Sequence, residues 1–281
     1  MNDRIDEVSK HYDPVESCEK IGSYLFGACA FLSLFILVPT STIKKVVSHL
    51  VNPAQLAFLK ETPSLIFIVL VLAYFSLSQY VRFFLIPKAD KERLKQLLTT
   101  SFGAAFSIEK TAQYYNNKLL PSMSKLAANI LENSLFGKEV CAEMAKKERK
   151  KVGLYALAYL FFVFNRSTDI SVVIALSQLL FSEALIVRLI TIEVLRSRLE
   201  SIYDGLYAMY RHNLDLSKEA GYAEILNFFA LYESAKASAG LKQSSEIFFK
   251  LNPILTKKWL EIKQQLNIDP GNNEPTTFSS I

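Results

Sequence analysis

The sequence is poor in the residues that break helices and in those that build disulfide frameworks. Nine glycines and nine prolines among 281 residues disfavour a turn-rich all-β fold, and three cysteines are too few for paired disulfides. Charged residues make up 21% and apolar residues 51%, whereas a soluble protein of this size has more charge and fewer apolar residues. Aromatic residues reach 12%, which excludes a disordered chain. The composition therefore predicts a helical membrane protein.

Catalytic and metal-binding motifs are also missing from the sequence. His11, His49 and His212 are scattered, with no carboxylate or cysteine at metal-ligand spacing. No GxSxG, HExxH or Walker-type glycine loop occurs. The net charge of +5 is small, and no nucleic-acid recognition fold is recognisable. We therefore expect a protein that is not an enzyme, uses no metal or cofactor, and binds no nucleic acid polymer.

Two long apolar stretches predict a first transmembrane hairpin. Residues 21–39 contain no ionisable side chain, and a helix of this length matches a hydrocarbon layer of about 30 Å. Residues 64–80 form the second stretch, and the run FFLIP after Arg82 extends it to residue 86. A polar, acidic head precedes the first stretch and no small-residue cleavage site follows it, so it is not a signal peptide.

Two further stretches predict a second hairpin. Residues 152–164 are short for a span, but the basic run KKERKK at 146–151 precedes them, and its long side chains can snorkel from a deeper helix. Residues 165–169 form a compact turn, and residues 170–187 then form the fourth stretch, which crosses back. We therefore predict an all-α membrane protein with four transmembrane helices in two hairpins and a helical cytosolic body.

The distribution of basic residues predicts the orientation of these spans. The N-terminal flank and the loop 40–63 carry three basic residues each, whereas the segment 87–151 carries thirteen basic and seven acidic residues. Basic segments next to spans stay in the cytosol. We therefore expect a multi-pass protein of the bacterial inner membrane with both termini in the cytosol. The expected segments are a head (1–20), a transmembrane hairpin (21–86), a cytosolic helical segment (87–151), a second hairpin (152–193), a second helical segment (194–268) and a disordered tail (269–281).

The two cytosolic segments read as helices that pack on each other. In the first we predict an N-cap at Asp90, a new helix after Pro121 and a stop at Gly137. In the second, Gly240 and Pro253 should separate helices at 217–239, 244–251 and 254–266. An apolar stripe at helical spacing continues the fourth span out of the membrane; its residues are Leu195, Leu199, Ile202, Leu206 and Met209.

Glu183 is the most informative single residue, because a carboxylate near the bilayer centre should face protein or water. Ser171, Gln178 and Ser182 precede it at helical spacing and form a polar stripe, and Arg188 follows five positions later. One interpretation is a pore lining assembled from several copies. The other is that the stripe joins neighbouring helices by hydrogen bonds, with Glu183 protonated or paired with Arg188.

Two smaller patterns indicate contacts. Ser23, Gly27 and Ala30 in the first span allow close helix approach, within the chain or between copies. The residues Tyr114, Tyr115, Asn116, Asn117 and Lys118 combine aromatic faces, amides and a cation. Such a set can stack a nucleobase, hydrogen-bond its edge and contact phosphate. Alternatively it is a helix end with two packed tyrosines and an asparagine cap.

The layout resembles that of bacterial four-transmembrane effectors of anti-phage signalling systems, the SMODS-associating four-transmembrane type. The similar features are the acidic head, the two span pairs, the helical middle with TAQYYNN, the run KKERKK and the C-terminal KKWLEIKQQL. The resemblance implies an oligomeric antiviral-defence effector that binds a cyclic nucleotide second messenger and then permeabilises the inner membrane. The signal would pass through the helix 194–214 to the fourth span. The alternatives are a membrane scaffold or interaction protein, and a small transporter or channel subunit.

Overall fold

The computed structural model describes residues 5–36, 53–107, 111–112, 115, 117–165, 183–212 and 218–268, and it confirms the all-helical class. A short antiparallel pair, β1 (Ile5–Asp6) with β2 (Thr111–Ala112), joins the N-terminus to the middle of the chain. The helices are α1 (Asp13–Ile36), α2 (Pro53–Tyr80), α3 (Ile86–Phe102), α4 (Met123–Phe164), α5 (Arg188–Arg211), α6 (Glu219–Ala239) and α7 (Ser245–Gln265). A short 3₁₀ helix, Val8–Tyr12, precedes α1.

One helix in the described part of the chain, Thr62–Phe102, is long and apolar enough to cross a membrane. Only 6% of its most apolar stretch is buried. This agrees with a membrane location. The four spans, their two hairpins and the cytosolic placement of the termini stay predictions, and the predicted tail 269–281 lies outside the described residues.

The helix that contains this stretch is continuous, so the predicted N-cap at Asp90 is wrong. A π-helical turn, Val81–Leu85, links α2 to α3, and the Ile86 amide donates to the carbonyl of Val81, five residues back. A proline in an α-helix meets the carbonyl four residues earlier, and the wider π turn relieves that conflict for Pro87. Asp90 consequently lies inside α3, where its side chain accepts a hydrogen bond from Arg93 at 3.3 Å.

Helix α4 begins close to the predicted start but continues through Gly137, so the predicted stop there is wrong. Ser122 precedes the helix and its hydroxyl accepts a hydrogen bond from the Lys125 amide at 3.2 Å. At Gly137 a Cβ atom would lie 2.9 Å from Cδ1 of Leu199. The missing side chain therefore allows α5 to approach α4 closely, and packing on both sides keeps the residue helical.

The three C-terminal helices follow the predicted apolar pattern with one exception. The stripe on α5 is buried as predicted; its residues are Leu195, Leu199, Ile202, Leu206 and Met209. Gly240 ends α6 in the left-handed conformation at φ +54°, a usual role for glycine at a helix C-terminus. Pro253, however, does not divide α7. Buried Ile247 before it and Leu255 after it hold both halves of the helix against the core.

The chain separates into two compact units. The first, the apolar unit, comprises residues 12–87 and 145–191, and the second, the helical body, comprises residues 1–11, 88–144 and 192–281. Helix α4 contributes residues to both. The helical body holds a core of fully buried side chains, which includes Trp259, Leu131 and Leu206.

The apolar unit has a small core and a large exposed apolar surface. Val15, Val81 and Ile86 form its buried cluster, and the rings of Phe26 and Tyr74 pack α1 on α2 at 6.0 Å. Large apolar side chains elsewhere on α1, α2 and α4 are exposed; they include Tyr24, Phe31, Leu65, Val69, Leu154, Leu157 and Phe161. Soluble monomers rarely expose contiguous apolar patches above a few hundred Å².

Candidate functional site

The predicted aromatic and amide set is anchored to α4 in the helical body. The Asn117 amide donates to Oδ1 of Asn129 at 2.8 Å. Asn129 in turn donates to the Ser101 hydroxyl at 2.9 Å. The Asn133 amide donates to the Tyr115 hydroxyl at 3.0 Å. The structure therefore brings Tyr115 and Asn117 together against one helix, α4, and Lys118 is exposed beside them. Tyr114 and Asn116 lie outside the described residues.

The centre of this amide cluster, Asn129, escaped the sequence-based prediction. Residues 126–132 are all buried, so α4 is enclosed on every side here, and its polar residues cannot face water. Glu132 and Ser134 are buried with Asn129. The signal was present in the sequence as asparagine and glutamate inside the apolar run LAANILENSLF.

The cluster has one acceptor to spare. Within the part of the chain that the structure describes, Oδ1 of Asn117 is buried and accepts no hydrogen bond. An amide oxygen without a partner keeps its capacity to accept a hydrogen bond, but this one is enclosed, so a ligand would reach it only after the segment around Asn117 moved. The hydrogen bonds of Tyr115 and Asn117 thus fit the interpretation as a contact with a helix, and ligand binding would require that contact to open.

We expect Asn129→Ala to lower the free energy of unfolding of the helical body by about 1–3 kcal/mol, because the substitution strands the Asn117 amide and the Ser101 hydroxyl. Thermal unfolding by circular dichroism measures the loss. The matched control is Ser134→Ala on the same helix. Ser134 is equally buried, but its hydroxyl has no hydrogen-bond partner among the described residues, so this change should be neutral or stabilising. Equal losses in the two variants would contradict the role of the amide cluster.

A second polar network lies elsewhere in the helical body, around Gln243. Its amide nitrogen lies 3.0 Å from the Gly137 carbonyl oxygen and 3.1 Å from Sγ of Cys141. The Lys236 ammonium donates to its amide oxygen at 3.4 Å. Burial raises the pKa of the Cys141 thiol, although the Gln243 hydrogen bond opposes the rise. The Cys141 thiol is therefore protonated at neutral pH and is not an activated nucleophile. The network around Gln243 serves as a packing contact between helices.

Lys236 is one of the few buried charged groups of the body. Burial lowers its pKa, and the nearby carboxylate of Asp90 acts in the opposite direction. Next to it along α6, Glu233 pairs with Arg93 at 2.7 Å. Charges in this environment need partners, and these pairs join α3 to α6.

Of the predicted intramembrane polar residues, Arg188 is the one whose side chain the structure describes. It lies 3.3 Å from a carboxylate oxygen of Glu148 on α4 and 3.8 Å from one of Glu19 on α1. Ser171, Gln178 and Ser182 lie outside the described residues, and Glu183 begins a π-helical turn, Glu183–Val187. Arg188, at the start of α5, therefore links this helix to α1 and to the middle of α4 within the apolar unit.

Two of the three predicted packing residues of α1 are exposed. They are Ser23 and Gly27, and a Cβ atom at Gly27 would have no neighbour within 4 Å beyond its own stretch of helix. The face toward α2 instead carries Gly22 and Phe26, both next to Tyr74. Ala30 is half-buried.

The described residues contain no group of three histidine, cysteine or carboxylate side chains that could hold a metal ion. No protein-family model matches the chain, and neither a curated protein nor a solved structure matches it.

Proposed function

We propose that the protein is a signal-gated effector of the bacterial inner membrane, which oligomerises and disrupts membrane integrity in anti-phage defence. In this proposal the two hairpins, 21–86 and 152–193, cross the bilayer, and both termini lie in the cytosol. The helical body receives the signal, for which the resemblance to four-transmembrane effectors implies a cyclic nucleotide. The spare acceptor of Asn117 is a candidate contact for that ligand.

The exposed apolar surface supports this proposal most directly. The side chains of Leu65, Val69 and Leu72 project outward along a helix that could cross a membrane, and Leu154 and Leu157 do the same on α4. Each such side chain gains about 1.5–3 kcal/mol when it leaves water for lipid. A surface of this kind is stable in a bilayer and aggregates in water.

One observation favours a membrane scaffold as the second candidate. Glu19 and Glu148 both lie close enough to Arg188 to balance its charge, which is what a static helix junction needs. A scaffold uses such a junction permanently, whereas an effector has to rearrange it when the signal binds.

Membrane potential distinguishes these candidates. A voltage-sensitive dye is read in bacteria that express the wild type, Glu183→Leu or the control Glu219→Leu, with phage infection or a cyclic dinucleotide as the trigger. We expect the wild type and the control to depolarise the cells. At equal membrane abundance, the depolarisation caused by Glu183→Leu should be at least about tenfold smaller. Glu219 suits the control because it is exposed at the start of α6 in the helical body. A wild type that never depolarises the cells under any trigger would favour the scaffold.

A further inference from the structure

We propose that a basic collar around the apolar unit binds the headgroups of anionic phospholipids. The collar consists of α1 residues 16–20, the π-helical turn Val81–Leu85, α4 residues 146–151 and Arg188. The proposal rests on the membrane location in the proposed function and adds a lipid class and a binding surface to it.

Contacts within the apolar unit place these four segments at one level. Val15 and Cys18, at the start of α1, pack in the same cluster as Val81 and Leu85 of the π turn. Arg188 lies beside Glu19 of α1 and Glu148 of α4. The Lys151 ammonium lies 5.7 Å from the centre of the Phe26 ring, about two turns after Glu19 along α1. The collar therefore surrounds the unit where its apolar surface begins.

Basic side chains outnumber acidic ones in the collar. It carries eight basic and three acidic residues. Glu148 is 17% exposed and lies near Arg188 and Lys151, whereas Lys20 is 70% exposed. The basic side chains of 146–151 are all exposed; they are Lys146, Lys147, Arg149, Lys150 and Lys151. Glu16 is 44% exposed but lies 3.3 Å from Lys20, so each carboxylate of the collar has a basic partner, and the excess of basic side chains makes the collar positive overall.

One exposed face of α4 changes from basic to apolar in a single turn. Lys147 and Lys150 are followed at helical spacing by Leu154, Leu157 and Phe161, and all five side chains are exposed. Four residues of helix separate the last lysine from the first leucine, a rise of about 6 Å. In a phospholipid layer, the change from charged phosphate to apolar acyl chain occurs in the same order and over a similar distance.

This continuity identifies lipid as the occupant. A polyanion such as a nucleic acid would pair with the lysines and leave the apolar side chains in water. A phospholipid satisfies both parts, since its phosphate meets the lysines and its chains cover the leucines and Phe161. Phe83 and Phe84, exposed beside Arg82 on the π turn, repeat the arrangement on a second side of the unit.

The test uses the full-length protein reconstituted in vesicles of phosphatidylcholine mixed with phosphatidylglycerol. The lipid that co-purifies after extraction is analysed for enrichment of phosphatidylglycerol over phosphatidylcholine. We expect enrichment around the wild type at low salt, and at least about a fivefold loss of it in the triple variant Lys146→Gln, Lys147→Gln, Lys150→Gln. High salt should abolish the enrichment, because exposed charges are screened.

The matched control removes the same charge from the helical body through Lys218→Gln, Lys250→Gln and Lys257→Gln, three residues that are also exposed. The control should keep the wild-type enrichment. Equal enrichment in the collar variant, or an equal loss in the control, would overturn the collar. Alkaline extraction is performed first: a chain released from membranes would overturn the proposed function as well, whereas a membrane-bound chain without enrichment would overturn the collar alone.

Discussion

Arg93→Ala should lower the free energy of unfolding of the helical body by about 3–5 kcal/mol. Arg93 is only 13% exposed and pairs with Glu233 at 2.7 Å and with Asp90 at 3.3 Å. Its guanidinium also lies 5.5 Å from the centre of the Tyr232 ring. Removal of the cation leaves two carboxylates mostly buried without their partner, and that penalty exceeds the loss of a surface pair.

Trp259 provides the measurement for this variant. It is the single tryptophan of the chain and is fully buried in the helical body, so its fluorescence changes when the body unfolds. Denaturant titration of the solubilised protein then compares Arg93→Ala with Lys95→Ala. Lys95 pairs with Glu92 at 2.8 Å on the same helix, but both side chains are more exposed, so its loss should cost less than about 1 kcal/mol. A similar cost for both variants would show that Arg93 is not an anchor of α3 on α6.

Trp259→Ala should also cost about 3–5 kcal/mol, because it removes the largest fully buried side chain of the body and leaves a cavity. Circular dichroism follows the unfolding, since this variant has no tryptophan fluorescence. The loss of helix packing should lower the unfolding midpoint and leave the native spectrum helical.

Trp259→Phe separates packing from hydrogen bonding at the same position. The indole nitrogen has no hydrogen-bond partner within the described residues, so phenylalanine should restore most of the stability, to within about 1.5 kcal/mol of the wild type. Leu260→Ala, next in the helix but half exposed, should change stability by less than about 0.5 kcal/mol. A Phe variant as unstable as the Ala variant would indicate that the indole nitrogen has an essential partner.

Local pattern predicted some features well because they depend on neighbouring residues. The stripe from Leu195 to Met209 repeats at helical spacing, and all its members are buried. Gly240 ends a helix because glycine adopts positive φ at little cost. The predicted helix ends at Asp90, Gly137 and Pro253 were wrong, since each residue lies inside a helix that a π turn or tight packing keeps continuous.

The candidate sites were also predicted only in part from the sequence. The sequence placed Tyr115 and Asn117 in one polar set but gave no sign that Asn129 would hold Asn117 in position, because that contact depends on how the segment folds onto α4. It identified Arg188 as a residue of interest and offered Glu183 as its partner. The structure puts Glu148 and Glu19 beside it, and the pairing with Glu183 stays a prediction because that side chain lies outside the described residues.

The sequence by itself determined that this chain is helical and carries long apolar segments with basic residues at their ends, since composition and spacing are local properties. Only the tertiary structure decided which charged side chains meet. Arg93 and Glu233 are 140 residues apart in the chain, and Glu19, Glu148 and Arg188 come from three helices. Pairings over such separations arise because buried charges require partners, and the packing of helices selects which partner lies within reach.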